Sequence, residues 1–364
     1  EQNYTLLINH LASEKLKLSY DFYATHYQTD EYLNDPSGAL FSSGNYDHWF
    51  LRPELRSHLT LGKSTLTTGL GLNQETLDRT LFKERAQLHS EYLFGQLEWF
   101  IGKQWNVLAG FRYDHHHQYQ SQLSPKLAVN FKWNDNFSLK GSAGYGYKAP
   151  DLRQLYLNFT NSTVGYTVLG YNVVKEGIAA LQNQGEVASD FQAAFADELK
   201  PESSMNLNFG GFYHKHRLTA DFNIFYNAIA NLIDTKAVVQ KIGAFGGQSV
   251  FSYFNVDQVF TYGLEVNSKY QLLKDLEISG GYQFLIAKDR DALQKLDKGE
   301  VFARDKATLA TFKLEKNDYF GLYNRSRHTA NFKFTYNLSA LKTRFNARLL
   351  YRSRYGLLDG NDNA

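Results

Sequence analysis

Apolar and polar residues alternate along most of this chain, and the alternation is clearest between residues 137 and 147. An alternation of period two over this length predicts a β-strand with one buried face, and about fourteen segments carry it. The pattern therefore predicts an all-β chain. In the clearest segment, one face carries Phe137, Leu139, Gly141, Ala143, Tyr145 and Tyr147.

The connections between these segments alternate between short turns and long loops. Outer-membrane barrels have this asymmetry, because their periplasmic turns are short and their extracellular loops are long. A propeller or a sandwich has no reason to alternate so regularly. The pattern predicts a transmembrane antiparallel up-and-down β-barrel with lipid outside and water inside. Its outer rim would carry the long loops 29–47, 77–86, 114–123, 150–202, 229–250 and 288–325.

Composition is compatible with this barrel and excludes some other classes. The 25 Tyr and 27 Phe suit a membrane interface, and no run of about twenty apolar residues predicts a transmembrane helix. The absence of cysteine excludes a disulfide framework and a thiolate metal site. A net charge of +2 gives no reason to expect a nucleic-acid partner. Composition alone leaves open a soluble, tyrosine-rich β-protein such as a surface adhesin.

Charged residues alternate with apolar ones in several predicted strands. Facing lipid near the midplane, each charge would cost about 2–4 kcal/mol. These side chains are therefore expected to point into a wet lumen or against a plug. A fourteen-stranded barrel that closed by itself would be a passive porin or fatty-acid channel, and this alternative stays open. The charged residues are Glu54, Arg56, Asp221, Glu265, Arg344 and Arg348.

The loop at residues 150–202 is too apolar to be a polar linker. Asp151–Asn158 is predicted to form one or two helical turns, and Val173–Gln184 a second short helix with Ile178 and Leu181 turned inward. Loops of this length are usually functional or disordered, and the apolar content argues against disorder. We expect the loop to cover the lumen mouth and contact a ligand. The alternative is that it only packs against neighbouring loops or a partner.

Aromatic and cationic side chains just before this loop and in its first part are the ligand candidates. Aromatic faces combined with a few cations suit a planar or anionic metal chelate. The candidates are Tyr147, Lys148, Arg153, Tyr156 and Tyr166.

Four motifs resemble the TonB-dependent outer-membrane receptors over about residues 137–336. The first is Tyr147-Lys148-Ala149-Pro150 followed by Asp151-Leu152-Arg153-Gln154-Leu155-Tyr156, and the second is Leu199-Lys200-Pro201-Glu202-Ser203. The third is Phe254-Asn255-Val256 with Tyr262-Gly263-Leu264-Glu265-Val266 after it, and the fourth is Arg325-Ser326-Arg327-His328.

The resemblance implies a barrel of about 22 strands, plugged by an N-terminal domain. Residues 1–364 would then be part of that barrel, with the plug and the last few strands outside them. It also implies a receptor in the bacterial outer membrane, embedded in the lipid bilayer and coupled through its plug to a TonB-type energy complex. A surface lipoprotein is a further partner that the family allows. No enzyme activity and no permanently bound cofactor are expected.

The transported ligand implied by the resemblance is haem or an iron–siderophore first, cobalamin second, and a glycan or peptide third. Haem receptors of the family would place a histidine after the Ala-Pro element. No histidine occurs between Lys148 and Tyr213, and the expected Asn-Pro-x-Leu element is missing. Both departures count against haem, which nevertheless stays among the alternatives.

Three consecutive histidines, His115-His116-His117, lie in a predicted outer loop. Neutral imidazole binds iron and other transition metals. Three neighbours cannot aim at one point, so His115 and His117 are the metal-ligand candidates, and a solvated loop is the alternative. The acidic residues of loop 288–325 lack the spacing of a calcium site. We expect an exposed, salt-rich loop there, with a short amphipathic helix over Lys288–Leu296.

Overall fold

The computed structural model describes residues 1–34, 37–80, 82, 84–161, 164–188, 198–243, 246–256, 258–305 and 307–356. Within these ranges the chain is mostly strand, with three short α-helices. In chain order the elements are β1 (Gln2–Leu11), β2 (Leu16–Asn34), β3 (Leu40–Leu61), β4 (Ser64–Arg79), β5 (Ala86–Ile101), β6 (Trp105–His116), β7 (Gln122–Lys132), β8 (Phe137–Lys148), α1 (Leu152–Tyr156), β9 (Asn158–Thr160), β10 (Thr167–Leu169), α2 (Val174–Asn183), β11 (Glu202–Lys215), β12 (Leu218–Ala230), β13 (Leu232–Gln240), β14 (Ser249–Val256), β15 (Val259–Leu273), β16 (Leu276–Asp289), α3 (Arg290–Lys298), β17 (Phe302–Arg304), β18 (Thr311–Lys313), β19 (His328–Leu338) and β20 (Thr343–Arg352).

Fourteen of the described strands form one antiparallel sheet, which confirms the predicted architecture. Its order is β1-β2-β3-β4-β5-β6-β7-β8-β11-β12-β15-β16-β19-β20. Each strand of this wall therefore pairs with the wall strands that come before and after it in the chain. At one end the connections have two to four residues. Gly62 and Gly102 occupy two of these turns at φ 65° and 63°, a conformation that glycine adopts without strain.

The two faces of the sheet differ as the alternation predicts. One face exposes a large apolar side chain on strand after strand, and grooves of about 690 Å³ run along it over β1–β6. On the other face Glu54 accepts hydrogen bonds from Arg56 and from Tyr92, the latter at 2.8 Å. Charged groups on that face satisfy one another instead of meeting lipid. The exposed apolar residues include Leu70, Leu93, Phe111, Leu127, Phe209, Ile224, Tyr262, Phe332 and Leu349. None of the helices in the described ranges is long and apolar enough to cross a membrane.

Two of the predicted outer loops are wrong. Residues 29–47 are mostly strand, because β2 continues to Asn34 and β3 begins at Leu40, with an unbroken ladder between Tyr27 and Tyr32. Beyond the membrane, both faces of the wall meet water, and polar side chains suit both. The alternation of apolar and polar residues therefore disappears there, although the strands continue. Residues 229–250 contain β13 and the first residues of β14, which form a hairpin. The predicted loops 77–86 and 114–123 shorten to residues 80–85 and 117–121.

A second sheet stands at the outer end of the wall. Its order is β13-β14-β10-β9, with β10 parallel to β14 and antiparallel to β9. Two distant loops of the chain therefore form one packed unit, the outer module, which consists of residues 150–188, 198–201 and 231–256 where these are described. Both predicted helices of the large loop are present, as α1 and α2, and α3 confirms the helix expected after Lys288.

The outer module has two apolar cores. One lies under α2 and joins Ile178 and Leu181 to Val250 of β14. The other joins α1 to the wall strands β4 and β5, so the module is fixed to the barrel by apolar packing. The second core contains Leu77, Phe82, Ala86, Leu88, Leu152, Leu155, Leu157, Leu199, Ile233 and Tyr253.

Candidate ligand site at the outer end

Helix α1 begins at a capping box that fixes the exit of the chain from β8. The Asp151 carboxylate accepts from the Gln154 backbone N–H at 2.8 Å, and the Gln154 side chain accepts from the Asp151 N–H at 3.0 Å. Pairing of both groups stabilises the first helical turn. Pro150, Leu152 and Leu155 are buried beneath it. The Ala-Pro-Asp-Leu sequence therefore turns the chain inward and anchors the loop.

Glu202 joins three segments where the chain returns to the wall. Its Oε1 accepts from Lys148 Nζ at 3.1 Å and from the Ile233 backbone N–H at 3.1 Å. Lys148 ends β8, Glu202 begins β11, and Ile233 lies in β13. This side chain therefore connects the entrance and the exit of the large loop with the second sheet.

Asn255 connects the same region from the other side. Its side-chain NH₂ donates to the Lys200 carbonyl at 2.7 Å and to the Asn231 carbonyl at 2.8 Å. Its Oδ1 accepts from the Lys200 N–H at 2.7 Å. These hydrogen bonds hold β14 against the Lys200-Pro201-Glu202 segment.

A cavity of about 490 Å³ lies between these connections and the β6–β7 turn. Tyr147 lines it and donates to the Gln120 carbonyl at 3.4 Å. Phenols, amides and a lysine are concentrated here, and these groups bind a polar or anionic ligand by hydrogen bonds and charge. The lining residues are Tyr119, Gln120, Gln122, Tyr147, Glu198, Leu199, Lys200, Pro201, Ser203 and Asn231.

The phenol of Tyr119 is neutral in this cavity. Burial raises its pKa above the ordinary tyrosine range, and Tyr156, Glu198 and Tyr147 raise it further. A phenol that keeps its proton is a hydrogen-bond donor at neutral and mildly alkaline pH. The ring also lies against His116, with centroids 4.9 Å apart and the two planes tilted by 52°.

The five predicted ligand residues do not all meet in one place. Tyr147 lines the cavity, and Lys148, the next residue, forms an ion pair with Glu202. Tyr156 lies close enough to raise the pKa of Tyr119. Arg153 is exposed on α1, and Tyr166 packs edge-on against Phe159, at 6.0 Å between ring centroids, away from the cavity. Sequence reasoning missed Tyr119, Gln120, Gln122, Lys200 and Asn231 as lining residues. Lys200 lies within a recognised motif, and that was the available signal.

The two predicted histidines lie side by side, with ring centroids 5.4 Å apart, and their nitrogens contact different groups. His115 Nδ1 lies 2.9 Å from Ser121 Oγ, whereas His117 Nε2 lies 3.1 Å from Glu91 Oε1. His89 Nε2 lies 2.9 Å from the same Glu91 oxygen. The structure thus groups His117 with His89 and Glu91, whose donor atoms lie within 4.8 Å of one another.

A family model described as "TonB dependent receptor-like, beta-barrel" matches residues 2–364. The chain belongs to this family. Its members are outer-membrane receptors of Gram-negative bacteria and not enzymes, so the chain is an outer-membrane protein and its wall is part of a TonB-dependent receptor barrel. The family name denotes dependence on TonB.

Curated relatives of this receptor chain are iron receptors by name. It is 28% identical over 215 residues to the probable TonB-dependent siderophore receptor PirA of Acinetobacter baumannii, covering 59% of this chain and 25% of that protein. It is 26% identical over 212 residues to the ferrienterobactin receptor of Escherichia coli, covering 58% of this chain and 26% of that one. The chain spans about a quarter of the length of these relatives.

Solved structures share the fold of this receptor chain. The ferric enterobactin receptor PfeA of Pseudomonas aeruginosa matches with a TM-score of 0.61 at 18% identity, over 93% of this chain and 47% of that one. The siderophore receptor PirA of Pseudomonas aeruginosa matches with a TM-score of 0.59 at 14% identity, over 96% and 62%. At these identities the likeness concerns the fold alone.

Proposed function

We propose that this chain supplies the ligand-recognising part of a TonB-dependent receptor for a ferric siderophore. The observation that carries the proposal is the outer cavity of about 490 Å³, lined by Tyr119, Tyr147, Gln122 and Lys200. The relatives named for siderophore and ferric enterobactin reception support the same ligand class. On this proposal the rest of the receptor, including the plug and further strands, lies outside residues 1–364, and uptake is driven by a TonB-type complex.

The chemistry of the lining favours a siderophore over haem. Iron in a siderophore is already held by the chelator, so the protein needs only hydrogen bonds and charge to bind it. Haem iron is often held by an axial histidine, and the described lining of this cavity contains no histidine. Haem and cobalamin remain the alternatives, and membership of a TonB-dependent family argues against a passive fourteen-stranded channel.

A binding panel tests the ligand class. The receptor containing this chain, purified from outer membranes, is titrated with ferric enterobactin, haem and cyanocobalamin, and the quenching of tryptophan fluorescence is followed. We expect the ferric siderophore to bind at least about tenfold more tightly than the other two, a difference of about 1.4 kcal/mol. Tighter binding of haem or of cyanocobalamin would overturn the proposal.

A variant pair on one strand tests the site. Tyr147→Phe removes only the hydroxyl in the cavity, and Tyr145→Phe removes an exposed hydroxyl two residues away on β8. We expect the first to weaken siderophore binding about three- to tenfold, as loss of about 0.5–1.5 kcal/mol implies, and the second to leave it unchanged. Equal effects of the two variants would contradict the site.

A further inference from the structure

The side chains of His89, Glu91 and His117 meet on the outer surface of the wall, apart from the siderophore cavity. His89 and Glu91 lie two residues apart on the same face of β5. The His117 backbone N–H donates to the His89 carbonyl at 3.3 Å. This backbone bond holds the residue after β6 beside β5. Leu93 and Tyr113 are exposed on the same face, so the cluster lies just beyond the apolar band of the sheet.

The two contacts of the Glu91 carboxylate already have the spacing of metal ligands. Two imidazole nitrogens lie 2.9 and 3.1 Å from a single oxygen of Glu91. Ligands held about 2.0–2.1 Å from a divalent metal at angles between a right angle and a tetrahedral one are about 2.8–3.4 Å apart. Both nitrogen–oxygen distances fall in this range, and the two imidazole nitrogens, which lie within 4.8 Å of each other, would close onto the metal.

The surrounding contacts orient the histidines toward a shared cation. His89 Nδ1 lies 2.8 Å from the Gln74 side-chain oxygen. When Nδ1–H donates to that oxygen, the neutral imidazole presents its Nε2 lone pair to the Glu91 carboxylate, and a cation bound to both atoms would relieve the repulsion between them. The other carboxylate oxygen, Glu91 Oε2, is enclosed and has no hydrogen-bond partner among the described residues. It is free to become a second oxygen ligand.

We propose that His89, Glu91 and His117 form a structural site for a borderline divalent transition metal such as Zn²⁺. Two imidazoles and a carboxylate are a ligand set that such metals accept, with water completing the coordination. The metal would link β5 to the connection 117–121, and that connection supplies Tyr119 and Gln120 to the outer cavity. The metal site itself stands independently of the proposed siderophore function.

Zinc titration of the chelator-stripped receptor in detergent, without siderophore, tests this site. Loss of a residue that only orients a ligand typically weakens metal affinity about 10–100-fold, so His89→Gln and His117→Gln should each weaken Zn²⁺ binding by at least about tenfold. His216→Asn, in an exposed turn at φ 52°, is the matched control, and we expect it to bind as the unaltered receptor does. His115→Gln should also retain Zn²⁺ binding. Loss of Zn²⁺ binding in this variant would overturn the proposed ligand set.

Hydrogen exchange of the unaltered receptor gives a second readout. Zn²⁺ should slow exchange of the amides in residues 117–121 and leave those of the distant turn 216–217 unchanged. No slowing at saturating Zn²⁺, or binding equal to that of a variant lacking all three ligands, would show that only protons bridge the cluster and would overturn the proposal.

Discussion

The Asn255 side chain and the Lys200 backbone form a closed pair of hydrogen bonds, each 2.7 Å long. A third bond from the same side chain reaches the Asn231 carbonyl at 2.8 Å. One amide thus satisfies backbone groups of two loops that are separate in sequence. This relationship makes the end of the large loop and the start of the second hairpin a single unit.

Asn255→Ala should loosen that unit without unfolding the wall. Loss of three hydrogen bonds, of which the one to Asn231 is partly buried, should lower the local opening free energy by about 1–3 kcal/mol. Hydrogen exchange of the amides in residues 198–202 and 231–233 measures the effect. Asn267→Ala, which removes one exposed bond to Asp221, is the control, and equal acceleration in both variants would contradict the interpretation.

Glu202 should matter more as a hydrogen-bond acceptor than as a charge. Glu202→Gln keeps an oxygen for the Ile233 N–H and loses only the ion pair with Lys148, whose side chain is 52% exposed. Exposed pairs contribute about 0–1 kcal/mol, so the glutamine variant should resemble the parent and Glu202→Ala should be clearly less stable. Proteolysis of the outer module by trypsin ranks the variants. A glutamine variant as sensitive as the alanine variant would refute this ranking.

Lys241 forms a buried ion pair that closes the outer module around α2. Its side chain is fully buried, and Nζ lies 2.7 Å from Glu186 Oε2. Removing one partner of a buried pair costs about 3–5 kcal/mol, and we expect the lower end for Lys241→Met because Glu186 reaches solvent. Hydrogen exchange of α2 measures the loss. A double variant with Glu186→Leu should recover part of it, and no recovery would argue against a pairwise effect.

Leu155 is the apolar anchor of α1, with no exposed surface. Leu155→Ala should destabilise the contact between α1 and the wall by about 2–5 kcal/mol, because it leaves a cavity. Leu341→Ala, at a side chain that is 68% exposed in a short turn, should change nothing measurable. The rate of proteolysis in residues 150–160 compares the two, and similar rates would contradict the packing.

The hairpin of β17 and β18 should open in acid through Asp305. Hydrogen bonds from the Thr308 backbone and hydroxyl and from the Ala307 N–H hold the Asp305 pKa below its ordinary 3.8. A pKa lowered by folding contributes stability that is complete above 3.8 and is lost as pH falls through the lower folded value. Hydrogen exchange of the Thr308 amide should accelerate as pH falls through the folded pKa of Asp305. Asp305→Asn should remove this pH dependence, and an unchanged profile would assign it to another group.

Much of the fold could be predicted from the sequence because one signal, the alternation of period two, marks each strand of the wall, although it disappears in the outer parts of β2 and β3. The second sheet could not, since β10 pairs in parallel with β14 across about eighty residues, from Val168 to Phe251, and no local pattern shows that pairing. The candidate site is likewise partly encoded in local motifs and partly created by tertiary contacts. Tyr147 lies in a motif that the sequence shows, whereas Gln122 and Asn231 reach the cavity through tertiary contacts. His89 and Glu91 carry no signal until β5 pairs with β6.

The most direct test of the account is a structure of the whole receptor with a bound ferric siderophore. We predict that the chelate lies in the outer cavity, within hydrogen-bond distance of the Tyr119 and Tyr147 hydroxyls and beside Lys200. A siderophore seated outside this cavity, with none of these three side chains in contact, would contradict the central claim.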